Sequence, residues 1–345
     1  MAAIFLLRGA RKELPFVLKV RVQSIRTVPK RRLPVPPKEK RLDIVILGAP
    51  NAGKSVLLNT MLKTKLAAAS RKRHTTRREI LGVVNHRNTQ LAIFDTPGFV
   101  KDTGSKSQAM KASTKQLSDI AVSSVKEKAD VVLIVVDALR VRPAMLAEFA
   151  DMIKLALTNA KQEIILVLNK VDLVNPKVQL LESTRTLVSI INGIKLGPEK
   201  EHLAQLDTTT FMISALKNDG VIDITNYLIS IAEFKPWIIP RDAGVITDLS
   251  HEERIEEMIL QTLMEHTHEE IPYIADVECK SIERLTDRRI KVEVDIRVDT
   301  PSQQKIVIGQ HGRTLVKIRQ SASENLEAIL EKEVILYLWV NLRKG

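Results

Sequence analysis

The stretch Gly48-Ala49-Pro50-Asn51-Ala52-Gly53-Lys54-Ser55 follows the apolar run 42–47 and precedes the helix-like residues 56–62. In that strand, loop and helix context, G-x-x-x-x-G-K-S lets backbone N–H groups converge on phosphate oxygens in front of a helix N-terminus. Lys54 would reach the β- and γ-phosphates, and Ser55 would ligate Mg²⁺. Asp95-Thr96-Pro97-Gly98 offers a carboxylate for the Mg²⁺ shell and a Gly98 N–H for the γ-phosphate. Asn169-Lys170-Val171-Asp172 has the residue types of a base reader. The Asp172 carboxylate can accept from both N1–H and the exocyclic amine of guanine, a donor pair that adenine lacks. Lys170 would cover the base with its aliphatic stem, and Asn169 would tie this loop to the phosphate loop. Ser214-Ala215-Leu216 would turn backbone N–H groups toward the guanine carbonyl. Thr75 and Thr76 stand where a hydroxyl can engage Mg²⁺ only while the γ-phosphate is present. Together and in this order the motifs describe a GTP/GDP and Mg²⁺ site. Phe99 follows Gly98 in place of a water-orienting glutamine, so slow intrinsic hydrolysis is expected.

The elements that must position these residues are near-continuous apolar strands alternating with helices: strands at 42–47, 131–136, 164–168 and 210–213, helices at 56–62, 143–157, 180–191 and 222–232. Runs of that kind require cover on both faces. They predict a doubly wound, mostly parallel α/β P-loop domain over residues 40–234, with its ligand at the strands' carboxyl ends. Residues 80–85 and 90–94 read as an antiparallel hairpin within it, and residues 66–78 as a long surface loop. A linker is expected over 235–249.

From residue 250 the pattern changes to a capping-box start, a helix to about His266, strands at 273–282 and 290–298, a short helix at 301–307, a turn, a helix at 314–330 and a strand at 334–340. This α-β-β-α-α-β order describes a small α+β domain over 250–345. Its turn, Gly309-Gln310-His311-Gly312, has the G-x-x-G form that lets a nucleic-acid backbone pass close, with single-stranded bases on a neighbouring apolar groove of Ile306, Val307, Ile308 and Leu315. Lys305, Arg313, Lys317 and Arg319 surround it, giving candidate RNA contacts at Lys305, Ile308, Gly309, Gln310, His311, Gly312, Arg313 and Lys317. Trp339 alternates with Leu338 and Val340 and is expected in the core.

The chain carries a net charge of +12, yet residues 1–41 hold twelve basic residues against Glu13 and Glu39, which accounts for ten of those charges. Interleaved with Leu, Val, Ile and Phe, the arm over 1–39 reads as a mitochondrial transit peptide and linker. A disordered RNA-binding arm or a solvated extension would have the same charge. The single cysteine, Cys279, rules out an intramolecular disulfide and reads as a half-buried structural thiol. No apolar run approaches the roughly 20 residues of a membrane span, so a soluble or peripheral protein is expected.

The phosphate loop, Ser70-Arg71-Lys72-Arg73-His74-Thr75-Thr76-Arg77, Asp95-Thr96-Pro97-Gly98-Phe99 and the C-terminal G-x-x-G module together resemble the Era family of ribosome-assembly GTPases. The resemblance covers almost everything after residue 40. It implies a type II KH fold for the C-terminal module and binding near the 3′ end of small-subunit ribosomal RNA. It also implies GTP-gated release from the maturing small subunit, here the mitochondrial one. Catalytic roles then fall to Asn51, Lys54, Thr76 and Gly98, with Asn51 helping to hold a K⁺ ion in place of an arginine finger. Ser55, Thr75, Thr76 and Asp95 are the implied Mg²⁺ residues. The chain departs from the family at Gln310 and His311, where lysine or arginine is common. Location in the mitochondrial matrix, with peripheral contact to the inner membrane, is expected, and the cytoplasm is the runner-up. The alternative is a membrane-associated or signalling switch whose basic arm binds anionic lipid and whose C-terminal module binds protein.

Overall fold

The computed structural model describes residues 38–64, 66, 79–98, 119–157, 163–196, 208–241, 245–267 and 271–343. Residues 1–37 of the N-terminal arm therefore lie outside the described residues, as do Thr75, Thr76 and Phe99. The first sheet has strands β1 (Lys40–Leu47), β2 (Ile80–His86), β3 (Thr89–Asp95), β4 (Val131–Asp137), β5 (Glu163–Asn169), β6 (Thr210–Met212) and β7 (Glu233–Phe234). Its order is β2-β3-β1-β4-β5-β6, with β2 antiparallel to β3, the other neighbours parallel, and β7 antiparallel to β1.

Alternate side chains of each apolar strand feed two separate cores, which is why these strands show no polar face. Val45, Leu47, Leu166 and Leu168 pack with Phe149, Met152 and Ile191, against α2 (residues 119–128), α3 (Pro143–Ala156) and α4 (Val178–Leu196). Ile44, Ile46, Ile165 and Val167 pack on the other face with Leu57, Leu58, Ile224 and Leu228, against α1 (Lys54–Leu62) and α5 (Val221–Ile231). One residue of the expected surface loop, Leu66, joins this second core instead, since its N–H is held by Asn59 Oδ1 at 2.9 Å and its side chain is buried.

The segment after β7 is fastened to the sheet by buried polar groups. Gln90 of β3 is fully buried; its Oε1 accepts from Ile238 N at 2.8 Å and Ile239 N at 3.3 Å, while its Nε2 donates to Ile239 O at 2.9 Å. Val83 N then donates to Ile246 O at 2.8 Å, and Thr247 bridges to Gly82 on the β2 edge. Gln90→Leu would leave the Ile239 N–H and carbonyl buried without partners, at about 1–3 kcal/mol each, and take the acceptor from the Ile238 N–H. A loss of about 3 kcal/mol is therefore expected in urea unfolding, with the slope on denaturant unchanged.

The second sheet, order β10-β9-β8, comprises β8 (Asp276–Arg284), β9 (Arg289–Val298) and β10 (Glu333–Leu342), with β8 antiparallel and β10 parallel to β9. Helices α6 (His251–His266), α7 (Ile271–Ile274), α8 (Pro301–Ile308) and α9 (Arg313–Leu330) complete it. Capping boxes start α6, through Ser250 and Glu253, and α8, through Thr300 and Gln303. Ile255, Ile259, Val307, Ile318 and Leu326 bury one face of the sheet, meeting Val292, Val294, Val334 and Leu336.

Three expectations for this module are corrected. Residues 273–274 lie in α7 instead of β8: Ala275 N closes the turn on Ile271 O at 2.9 Å, and Pro272 stands in the first turn, where no N–H is needed. Val307 is buried and takes no part in a surface groove. Trp339 is 55% exposed, because the even positions of β10 face the helices and the odd ones the open side. Cys279 is half-buried, and burial with the nearby Glu256 and Glu252 carboxylates raises its thiol pKa to about 11, so it stays protonated at neutral pH.

Candidate functional site

The phosphate-loop residues sit where β1 passes into α1. Gly53 caps that helix at φ 97°, and a Cβ there would come within 2.2 Å of Asn169 Nδ2, so both conformation and space call for glycine. Lys54 is buried, its Nζ donating to Gly48 O at 3.2 Å and Ala49 O at 3.3 Å around the loop. Burial pushes the Lys54 ammonium pKa down, while the Asp95 charge works against that. Ser55 Oγ donates to Asp95 Oδ2 at 2.6 Å, which brings together two of the oxygens expected around Mg²⁺. Thr96 Oγ1 donates to Ile46 O at 2.7 Å, stapling the end of β3 to β1. Gly98 lies against Pro50, where a Cβ would come within 2.9 Å of the ring.

Asn169 is the hub of the base side. Its Nδ2 donates to Ala52 O at 2.9 Å, and its Oδ1 accepts from Ala215 N at 3.0 Å and Lys170 N at 2.8 Å. Three sequence-distant loops are thus held by one buried side chain. Lys170 Nζ reaches Asn51 O and Asp137 Oδ2, both at 2.7 Å. Asp137, which ends β4, is a site residue that the motif reading passed over; its signal is an acid closing an apolar strand in line with Asp95 and Asn169. The Ser214 hydroxyl, and then Lys217 at 3.1 Å, hold the Asp172 carboxyl below the usual carboxylate range. Leu216 projects into solvent at 85% exposure.

Thr75 and Thr76 lie outside the described residues, but the chain directly after their loop is anchored. The Glu79 carboxylate accepts from Ser124 Oγ and Lys128 Nζ of α2, the helix that follows the segment after Gly98.

In the second module, Lys305, Gln310, His311, Arg313 and Lys317 are exposed around the G-x-x-G turn, and Ile308 and Leu315 are half-buried. Ile306 and Val316 are the more exposed apolar residues, at 48% and 53%. Gly309, His311 and Gly312 all have positive φ, at 74°, 52° and 75°, which folds the turn back at the start of α9.

Residues 43–170 match the family described as 50S ribosome-binding GTPase, and residues 270–345 match the KH domain family. The chain is 33% identical over 302 residues to GTPase Era of Brucella suis, covering 88% of each protein. It is 35% identical over 308 residues to GTP-binding protein ERG of Arabidopsis thaliana, covering 88% of this chain and 66% of that one. Among solved structures it resembles Aquifex aeolicus Era bound to GDP and aluminium fluoride, with a TM-score of 0.74, 28% identity, and 90% and 95% of the two chains covered. It also resembles Era in complex with MgGDPNP and nucleotides 1506–1542 of 16S ribosomal RNA, with a TM-score of 0.72, 29% identity and coverage of 89% and 95%.

Proposed function

This chain belongs to the Era family of GTPases, and we propose that it couples GTP hydrolysis to binding the 3′ region of small-subunit ribosomal RNA during assembly of the mitochondrial small subunit. A P-loop GTPase domain followed by a KH domain supports binding and hydrolysis of GTP together with binding of RNA. The observation that carries the RNA assignment is the likeness, over 89% of this chain, to a structure of Era holding nucleotides 1506–1542 of 16S ribosomal RNA. The exposed turn 309–312, with Lys305, Arg313 and Lys317 around it, is the counterpart surface proposed here for that RNA.

At the nucleotide site the proximity of Ser55 Oγ and Asp95 fits a hard divalent cation. These two residues, with Thr75 or Thr76, would hold Mg²⁺, which when bound supplies charge neutralisation at the phosphates. Lys54 would reach the phosphates, Gly98 would offer its N–H to the γ-phosphate, and Asp172 would read the base with Asn169 fixing its loop. The assignment of Asn51 to a K⁺ ion rests on the family resemblance; its carbonyl accepts from Lys170 Nζ at 2.7 Å. Glu79 links the threonine loop's exit to α2, so ordering at either segment reaches the other. The arm's net charge, +8 over residues 1–39, supports import into the mitochondrial matrix, and basic residues retained after processing would permit peripheral contact with the anionic inner membrane.

Crosslinking and sequencing of RNA bound in the organelle tests this reading. Reads concentrated at the 3′ end of the small-subunit RNA, lost on Gly312→Asp, are expected. Diffuse reads would overturn the RNA assignment, and a chain without residues 1–37 that still reaches the matrix would overturn the transit-peptide assignment of the arm.

A further inference from the structure

The odd positions of β10 leave an aromatic strip on the side of the second sheet that no described helix covers. Tyr337 is 45% exposed and Trp339 55%, on an edge strand. A solvated indole on a strand surface loses the area that usually stabilises it, so its presence there needs a reason other than packing. The register places Glu293 opposite Tyr337 and Asp295 opposite Trp339. Further out, Ser281 of β8 faces Glu293, and Glu278 faces Asp295.

Carboxylates outnumber cations on this face. Lys280 pairs with Glu278 at 2.7 Å, and Lys291 with Glu293 at 2.7 Å and Glu283 at 3.6 Å. Arg297 pairs with Asp276 at 3.1 Å and with Glu278. Three cations thus stand among five carboxylates once the buried Asp295, held by Asn341 Nδ2 at 2.8 Å, is included. The Lys280 and Lys291 partners hold Glu278 and Glu293 below the usual carboxylate range, so both stay ionised at neutral pH. The face already seats one cation on a ring, with Lys291 Nζ 5.7 Å from the Tyr337 centroid.

We propose that this sheet face is a docking surface for an extended arginine- and lysine-rich segment of a protein partner, whose cations lie over Tyr337 and Trp339 and pair with the surplus carboxylates. Aromatic rings on a sheet can also stack nucleobases, but the excess negative charge repels a phosphate backbone. The G-x-x-G turn, moreover, joins α8 and α9, the helices that pack on the opposite side of the sheet.

The full chain is titrated into a fluorescein-labelled arginine-glycine repeat peptide and, separately, into labelled oligouridylate, with anisotropy as the readout. Replacing Tyr337 and Trp339 together with serine is expected to weaken peptide binding about tenfold. Glu293→Lys is expected to do the same, with oligouridylate binding and GTP hydrolysis within about twofold of wild type. Peptide affinity unchanged in both variants would overturn the proposal. Oligouridylate affinity lost in the serine variant would overturn it too, making the strip an RNA platform. Since every substituted side chain is at least partly exposed, thermal midpoints close to wild type are expected and confirm that each variant is folded.

Discussion

Asp172→Asn is expected to lower GTP affinity by about a hundred- to a thousandfold and to raise xanthosine triphosphate affinity by a similar factor. The carboxylate can accept two hydrogen bonds from guanine, at N1–H and at the exocyclic amine, whereas an asparagine amide turns a donor toward one of them. Losing one charge-assisted bond and opposing two donors costs about 3–4 kcal/mol, which is the stated factor in affinity. Xanthine carries a carbonyl in place of the amine, so the same amide donor finds an acceptor there. The surroundings favour a clean exchange: Ser214 and Lys217 position the Asp172 side chain, and neither is removed by the substitution. These partners also set the sign of the pH response. A carboxyl held low is ionised throughout the neutral and mildly acidic range, so base selection should persist as pH falls and weaken only below the ordinary carboxylate range. Titration with fluorescent GTP and XTP analogues checks both effects, and GTP affinity within about threefold of wild type would remove Asp172 from the role of base reader.

The parts of this molecule that were legible in sequence are those where local chemistry admits one solution. An apolar run such as residues 164–168 must be covered on both faces, and a glycine with an adjacent helix start must turn. The motif residues accordingly fall at the ends of adjacent strands. What was not legible depends on contacts between distant residues. The motif predicts that Asn169 ties its loop to the phosphate loop, as it does at Ala52, 117 positions away, but that its Oδ1 also takes the N–H of Ala215 was not legible. Asp137 looks like an ordinary strand-ending acid until Lys170 reaches it. Gln90 stands near the start of an otherwise apolar strand, and its burial follows from the return of residues 238–239 to the same sheet. Trp339 shows the reverse error. Its hydrophobicity argued for the core, but strand parity decides orientation, and parity depends on which neighbours meet the helices.

Gly312→Asp separates RNA binding from folding more cleanly than any change at Gly309. Both glycines have left-handed φ, yet a Cβ on Gly309 would come within 2.1 Å of Thr314 Oγ1 and 2.9 Å of Thr314 N, whereas one on Gly312 meets nothing within 4 Å. A side chain at Gly309 therefore displaces the first turn of α9, and loss of RNA binding there would be indistinguishable from local unfolding. At Gly312 the cost is conformational only, about 1 kcal/mol, and smaller for Asn or Asp, which tolerate this region. The aspartate would then hold its charge in the open space beside Arg313 and Lys317, where a phosphate is proposed to pass. RNA affinity is expected to fall at least about thirtyfold by repulsion and by neutralisation of those cations, while GTP hydrolysis without RNA stays unchanged. Gly312→Asn is the decisive companion, since it has the same size and the same backbone preference without the charge. It should keep RNA affinity within about fivefold of wild type, and its deficit should not depend on salt, whereas that of the aspartate variant should shrink as salt rises. Equal losses in the two variants would mean that the turn binds RNA through its shape and not through close approach of the phosphate backbone.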